Sequence, residues 1–367
     1  MKITDDMLDP GVRRTGALIR RVFNFKTEQD FVRTQALLDR VRPLIQTGRL
    51  RAAAHTLRTP DNARLRVCVY RARRPRPGAV GLLWLHGGGY AIGCPEQDLG
   101  FIRGFTGAAN CVVVSPDYRL SPRAPYPAAL NDCYQALLWM KRNAAALGIR
   151  PDQLFIGGDS AGGGLAVAVA LLARDRGSVR LACQLPFYPM LDDRMRTPSS
   201  QNNDAPVWNT RANETAWRLY LGSLYGGADV PAYAAPARAA SYAGLPPAYS
   251  FVGSVEPFYD EVNEYIAALR AAGVPARLDV YPGCFHGFDI TCPASPAARC
   301  ARTAYLSAFR RAAATCFAPQ NRQQCLAIPQ SFPLGRQPKK LSFRAKNPSS
   351  CSLRGDGTDS TALRASE

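Results

Sequence analysis

From about residue 64 onward, short apolar runs alternate with longer stretches in which apolar residues recur every three or four positions. Leu65-Arg66-Val67-Cys68-Val69-Tyr70 alternates as a half-buried strand does. Val80 to Leu85 and Cys111 to Val114 are unbroken apolar runs, the pattern of strands covered on both faces. Tyr126 to Leu147 predicts a helix carrying Leu130, Leu137, Leu138 and Met140, closed by Gly148. Gln153 to Gly157 predicts the next strand, leading directly into an Ala- and Leu-rich helix from Ala161. Leu181 to Phe187, Ala248 to Val252 and Arg277 to Tyr281 supply further strands. Between the last two, Val262, Tyr265, Ile266 and Leu269 mark a helix that Gly273 ends. Strand and helix in alternation imply an α/β fold, with a mostly parallel sheet covered by helices on both faces.

Three regions depart from this rhythm. Residues 10–47 read as helix, with Phe31, Leu38, Val41 and Ile45 on one face and Asp30 as N-cap. Residues 191–245, rich in Asp, Asn, Pro, Trp and Tyr, read as an insertion over the sheet. Beyond Cys316 apolar residues thin out, and a disordered basic tail is expected. The expected organisation is N-terminal helices over 1–60, a core over 61–190 and 246–316 split by the 191–245 insertion, and a tail over 317–367. No internal repeat stands out.

Composition narrows the class. The 367 residues suit one large α/β domain with a substantial core. The longest apolar run, Leu165 to Ala173, is far short of the ~20 residues that span a bilayer. Met1 to Asp6 hold no apolar segment of the signal-peptide kind, so a cytoplasmic location is expected. Residues 1–76 carry 18 Lys and Arg against 7 Asp and Glu, and residues 301–367 carry 11 against 3. The stretch between is nearly neutral, so the net charge of +18 belongs to the flanks. Basic flanks could touch nucleic acid or acidic lipid, but no zinc-finger spacing or aromatic–basic RNA motif accompanies them. The 11 cysteines form no C-x-x-C pair, and read as reduced, mostly buried thiols.

The chemistry concentrates in a few short segments. Gly158-Asp159-Ser160-Ala161-Gly162 is a G-x-S-x-G between a predicted strand and helix, the context in which a sharp turn exposes a nucleophilic Ser. His86-Gly87-Gly88-Gly89-Tyr90 follows another strand, and glycines there let backbone N–H groups approach an oxyanion. A Ser hydroxyl needs a base, and the sequence has only His55, His86 and His286. His55 lies in the polar N-terminal segment, and His86 is placed to order the Gly run. His286 follows the last strand, where the chain order Ser, acid, His requires the base. The acid then falls after the strand ending near Val252, where Glu256 is favoured and Asp260, placed as a helix cap, is the alternative.

These motifs, with Asp117-Tyr118-Arg119-Leu120 and His286-Gly287-Phe288, resemble the hormone-sensitive-lipase group of α/β-hydrolases, in its bacterial acetyl-esterase and carboxylesterase branch. The likeness runs from about Leu65 to Phe309. It implies an α/β-hydrolase fold with a helical cap made by the N-terminal helices and the 191–245 insertion. It also implies an oxyanion hole from the amides of Gly88, Gly89 and Ala161, with Asp117 and Arg119 bracing the loop. Tyr90, Trp208, Trp217 and Tyr220 are candidates for substrate binding. The family usually has Asp as the acid, so Glu256 is a departure that keeps Asp260 in play. The implied activity is a serine carboxylesterase for short-acyl esters, without metal or organic cofactor. The alternatives are an arylacetamide or lactone hydrolase, or a silent small-molecule-binding member of the fold. The expected partner is a small-molecule ester, with no nucleic acid and no stable membrane insertion; a homodimer stays open.

Overall fold

The apolar runs become strands of one eight-stranded sheet. The computed structural model describes residues 2–22, 25–74 and 76–318. Its strands are β1 (Leu50–Arg58), β2 (Arg64–Ala72), β3 (Ala79–Leu85), β4 (Cys111–Asp117), β5 (Ile149–Asp159), β6 (Cys183–Phe187), β7 (Ala248–Gly253) and β8 (Ala276–Tyr281). They lie in the order β1-β2-β4-β3-β5-β6-β7-β8. β2 runs antiparallel to both neighbours, and every other pairing is parallel. Every residue of β3, β6 and β7 is buried, including Gln184 and Ser250, whose side chains donate to the carbonyls of Pro246 and Pro186.

The helices are α1 (Pro10–Val22), α2 (Glu28–Val41), α3 (Leu99–Ala108), α4 (Ala128–Arg142), α5 (Ala144–Leu147), α6 (Ala161–Asp175), α7 (Thr210–Leu221), α8 (Tyr259–Ala271), α9 (Phe288–Thr291) and α10 (Pro296–Thr315). α3 and α10 pack together on one face of the sheet, where Phe105 meets Phe309 at 4.9 Å between ring centres. α4 and α6 pack together across the other face. Gly148 ends α5 in the left-handed region at φ +72°, as its position predicts.

Several boundaries differ from the sequence reading. The single N-terminal helix is two, and Asp30 is not its cap. Thr27 is the N-cap of α2, and Asp30 sits at the third helical position, accepting the Thr27 backbone N–H at 2.8 Å. Only Phe31 of the expected face is fully buried, and Val41 faces solvent. The helix expected over 126–147 begins at Ala128 and breaks at Asn143. Residues 50–58, assigned to the cap, pair with β2 as the edge strand of the sheet, and His55 lies against Trp139 there. The 191–245 insertion folds around α7. Of the expected tail, Phe317 and Ala318 pack on the fold: Arg150 covers the Phe317 ring, and the Ala318 N–H donates to the Asp152 carbonyl at 2.8 Å. The rest of that expectation, from residue 319, lies outside the described residues. Eight of the nine described cysteines are buried.

Candidate active site

Ser160 stands on the turn between β5 and α6, with φ +56° and ψ −121°. A non-glycine residue reaches that conformation only when its surroundings hold it there. Here the Ser160 N–H donates to Phe187 O at 2.9 Å, and the Ser160 carbonyl accepts the N–H groups of Gly164 and Met190, each at 3.0 Å. The segment from Phe187 to Met190 and the first turn of α6 thus pin the turn, with the hydroxyl beside the N-terminus of α6.

The loop after β8 brings His286 to this hydroxyl, with Nε2 2.8 Å from Ser160 Oγ. His286 Nδ1 hydrogen bonds to Glu256 Oε2, and the other Glu256 oxygen accepts the Gly253 N–H at 2.7 Å. Both carboxylate oxygens are therefore held, and Glu256 is fully buried. Asp260 lies elsewhere. Its carboxylate accepts the Ser199 N–H at 2.7 Å, and its own N–H donates to Ser199 Oγ at 3.0 Å, which ties the insertion to the start of α8.

The Gly run after β3 packs on the residue before the Ser, since a Cβ on Gly87 would stand 2.5 Å from Asp159 Oδ2. Gly88 has φ +120°, and a Cβ there would stand 2.1 Å from the Ile92 carbonyl oxygen. Gly89 has φ +60°, and a Cβ there would stand 2.4 Å from the Trp208 ring. Both positions demand glycine. His86 is buried and stacks on Tyr118 at 4.1 Å between ring centres. Burial pushes its imidazole down to about 4, so the ring is neutral at pH 7 and its Nδ1–H donates to the Gly87 carbonyl at 2.9 Å. The Tyr118 hydroxyl donates to the His86 carbonyl at 2.7 Å. Tyr118, not its neighbours, braces the loop. Asp117 instead accepts from Arg66 at 2.9 Å, and Arg119 grips Asp132 of α4 and Asp61.

The four aromatic candidates separate. Trp208 lies over Gly89, with its ring 6.3 Å from that of His286. Tyr90, Trp217 and Tyr220 form instead a closed stack inside the molecule, with exposures of 1, 0 and 1%. Tyr90 and Tyr220 are 3.9 Å apart, and the Tyr90 hydroxyl donates to Met190 O. They offer no accessible face, so the expectation that they line a substrate pocket is corrected: they are core between the sheet and α7. The sequence reading also missed Tyr188 and Phe258, which are just as buried but whose ring centres lie 4.8 and 5.0 Å from His286, each edge-on to it, so they hold the imidazole in place. Two lone aromatics outside any motif gave no signal.

Acids lie beneath the site. Asp159, the variable residue of the G-x-S-x-G, is buried and hydrogen bonded to the carboxyl of Asp98, which accepts the Trp84 indole N–H at 2.8 Å. Burial raises both carboxyls, that of Asp98 to about 6, and the charge of Asp98 raises Asp159 further, so the pair retains a proton. Asp289 accepts the Tyr188 hydroxyl at 3.1 Å, and burial reinforced by the charge of Asp159 pushes it up to about 7. The whole arrangement, a hydroxyl on an imidazole on a buried carboxylate beside a glycine-lined loop, can carry acyl transfer.

A sequence profile of the alpha/beta hydrolase fold matches residues 82–290. The chain is 36% identical over 233 residues to Esterase LipI of Mycobacterium tuberculosis, which covers 62% of this chain and 72% of that protein. It is 32% identical over 242 residues to an ethyl acetate hydrolase of Pseudomonas putida, covering 64% of this chain and 74% of that one. Among solved structures it is similar to a bacterial heroin esterase, with a TM-score of 0.78 and 33% identity, covering 85% of this chain and 99% of that one.

Proposed function

Since the chain belongs to the α/β-hydrolase family, in its hormone-sensitive-lipase branch of serine carboxylic ester hydrolases, we propose that it cleaves short-acyl esters through a Ser160–His286–Glu256 triad. The observation that carries this reading is the continuous relay from Ser160 Oγ, 2.8 Å from His286 Nε2, to Glu256 on His286 Nδ1.

The chemistry follows from those contacts. Ser160 Oγ attacks the ester carbonyl as His286 Nε2 takes its proton, and Glu256 stabilises the imidazolium without accepting that proton. The amides of Gly88, Gly89 and Ala161 receive the oxyanion, each worth about 3 kcal/mol in the transition state. The alcohol leaves with the proton from His286. Water, deprotonated by the same imidazole, then hydrolyses the acyl-enzyme and restores Ser160.

A small acyl group is supported by the crowding around the nucleophile. Ser160 and His286 are 5 and 4% exposed, and Trp208, Tyr188 and Phe258 surround the imidazole. The ethyl acetate hydrolase named above is a relative whose name specifies a two-carbon acyl group.

Hydrolysis of nitrophenyl esters from acetate to palmitate, with and without a serine-directed phosphonate, tests the reading. Turnover should peak at the short chains, and the phosphonate should abolish it while labelling Ser160 in peptide mass mapping. A label on another Ser, or full turnover by Ser160→Ala, would reject the triad; a maximum at palmitate would reject the substrate class alone.

A further inference from the structure

The described residues expose seven large apolar side chains, and five of them lie between positions 18 and 44. They are Leu18 at 62%, Val32 at 39%, Leu37 at 60%, Val41 at 40% and Leu44 at 76%. Chance scatter along the chain would not gather them in so short a stretch, and an exposed apolar cluster marks an interaction surface.

The sequence around two of them repeats. Arg14-Thr-Gly-Ala-Leu18-Ile-Arg-Arg21 in α1 and Arg33-Thr-Gln-Ala-Leu37-Leu-Asp-Arg40 in α2 share the pattern R-T-x-A-L-x-x-R. The repeated unit is only eight residues long. In each helix an Arg precedes the Leu by four positions and another follows it by three, which places all three on one face. All six of these side chains are exposed. Both helices therefore project a leucine between two guanidinium groups. The opposite faces are inward: Val12 and Ile19 of α1 and Phe31 of α2 are buried.

We infer that this Arg–Leu–Arg face docks on an anionic lipid surface. Charge complementarity selects the occupant, because residues 10–44, which carry the face, hold 8 basic side chains against 3 acidic. The chemistry of the pattern fits as well. A leucine enters the boundary of the acyl chains while arginines on the same helix face stay at headgroup depth. Docking is peripheral: the outer faces of α1 and α2 insert shallowly, and no helix among the described residues is long and apolar enough to cross a bilayer. The docked helices are joined to the catalytic residues, since Phe25 and Phe31 lie within 6.1 Å of Trp208, which lies over Gly89 and beside His286. This inference does not rest on the triad, because binding is read without turnover.

Vesicle co-sedimentation of the full chain at about 0.1 M salt tests it. Wild type should bind phosphatidylcholine vesicles containing phosphatidylglycerol at least tenfold more tightly than phosphatidylcholine alone, and salt should weaken the binding. The triple variant Leu18→Gln, Leu37→Gln, Leu44→Gln keeps every charge of the protein, including those beyond residue 318. It should lose at least tenfold in vesicle affinity while retaining wild-type turnover of a soluble nitrophenyl ester, which reports an intact fold. Equal binding by the variant, or no preference of wild type for anionic vesicles, overturns the inference. A dimer in sedimentation velocity that the triple variant dissolves also overturns it, in favour of a second copy of the chain on this face.

Discussion

At the residue scale, the acid of the relay is the sharpest point. Glu256 stands one methylene further from its backbone than the usual aspartate, yet both its oxygens are held, one by His286 and one by the Gly253 N–H. Replacing it with Gln keeps the size and removes the charge that stabilises the imidazolium. Glu256→Gln should lower kcat by roughly 10³-fold or more, measured in steady state, whereas Asp260→Asn should leave kcat near wild type and lower Tm by loosening its hold on Ser199. The reverse pattern would transfer the acid role. Asp289 gives a second, independent expectation. Its folded-state pKa of about 7 lies above the ordinary 3.8, so the native protein binds a proton that the unfolded chain releases. The stability it contributes is full below about pH 4 and is lost as pH rises towards 7. Asp289→Asn cannot titrate, so its Tm should gain on wild type progressively between pH 4 and 7 in thermal melts. A gap that stays constant with pH would mean that Asp289 is already ionised in the native protein.

At the element scale, α2 is anchored by one large buried side chain. Phe31 is fully buried from α2 and packs against Phe25 at 4.8 Å and Trp208 at 6.1 Å between ring centres. Phe31→Ala should cost about 3–4 kcal/mol of local stability, read as faster hydrogen exchange in α2 and a raised KM, with a smaller change in kcat. Loss of global Tm without local exchange would show that α2 folds with the core as one unit. This scale also shows what the sequence made legible. β3, β4 and β7 are buried on both faces and stand out as apolar runs. β1 was missed because most of its side chains are exposed, so Arg51-Ala-Ala-Ala-His-Thr shows no alternation. α3 was missed because Gly100, Gly104 and Gly107 interrupt it. α10 was missed because its buried stripe is largely alanine, with little hydropathy contrast. Trp217 and Tyr220 share one face of α7, and helical spacing cannot say whether that face meets a substrate or the core. The motif-bearing residues Ser160, Gly88, Gly89 and His286 were legible because sharp turns and close approaches allow few residue types. Asp98, Tyr118, Tyr188 and Phe258, which support them, are ordinary residues brought in by the fold.

At the scale of the whole molecule, the described fold closes with Phe317 and Ala318. A chain ending at Ala318 keeps every described contact and should match full-length kcat and Tm; one ending at Cys316 loses the Arg150–Phe317 and Ala318–Asp152 contacts and should melt about 2–4 °C lower. Equal melting of the two truncations would remove that closure from the account. The N-terminal arm reaches furthest across the sequence. The Ile3 N–H donates to Asp204 at 2.6 Å, the Asp9 N–H donates to Gly283 O at 2.9 Å, and Gly16 packs on Phe285, beside His286. The partners of Asp9 and Gly16 are synthesised about 270 residues later, roughly 15–55 s at 5–20 residues per second. On the ribosome, therefore, the first helix made is among the last to find its seat, and its apolar inner face waits uncovered until the loop that carries the base has been translated.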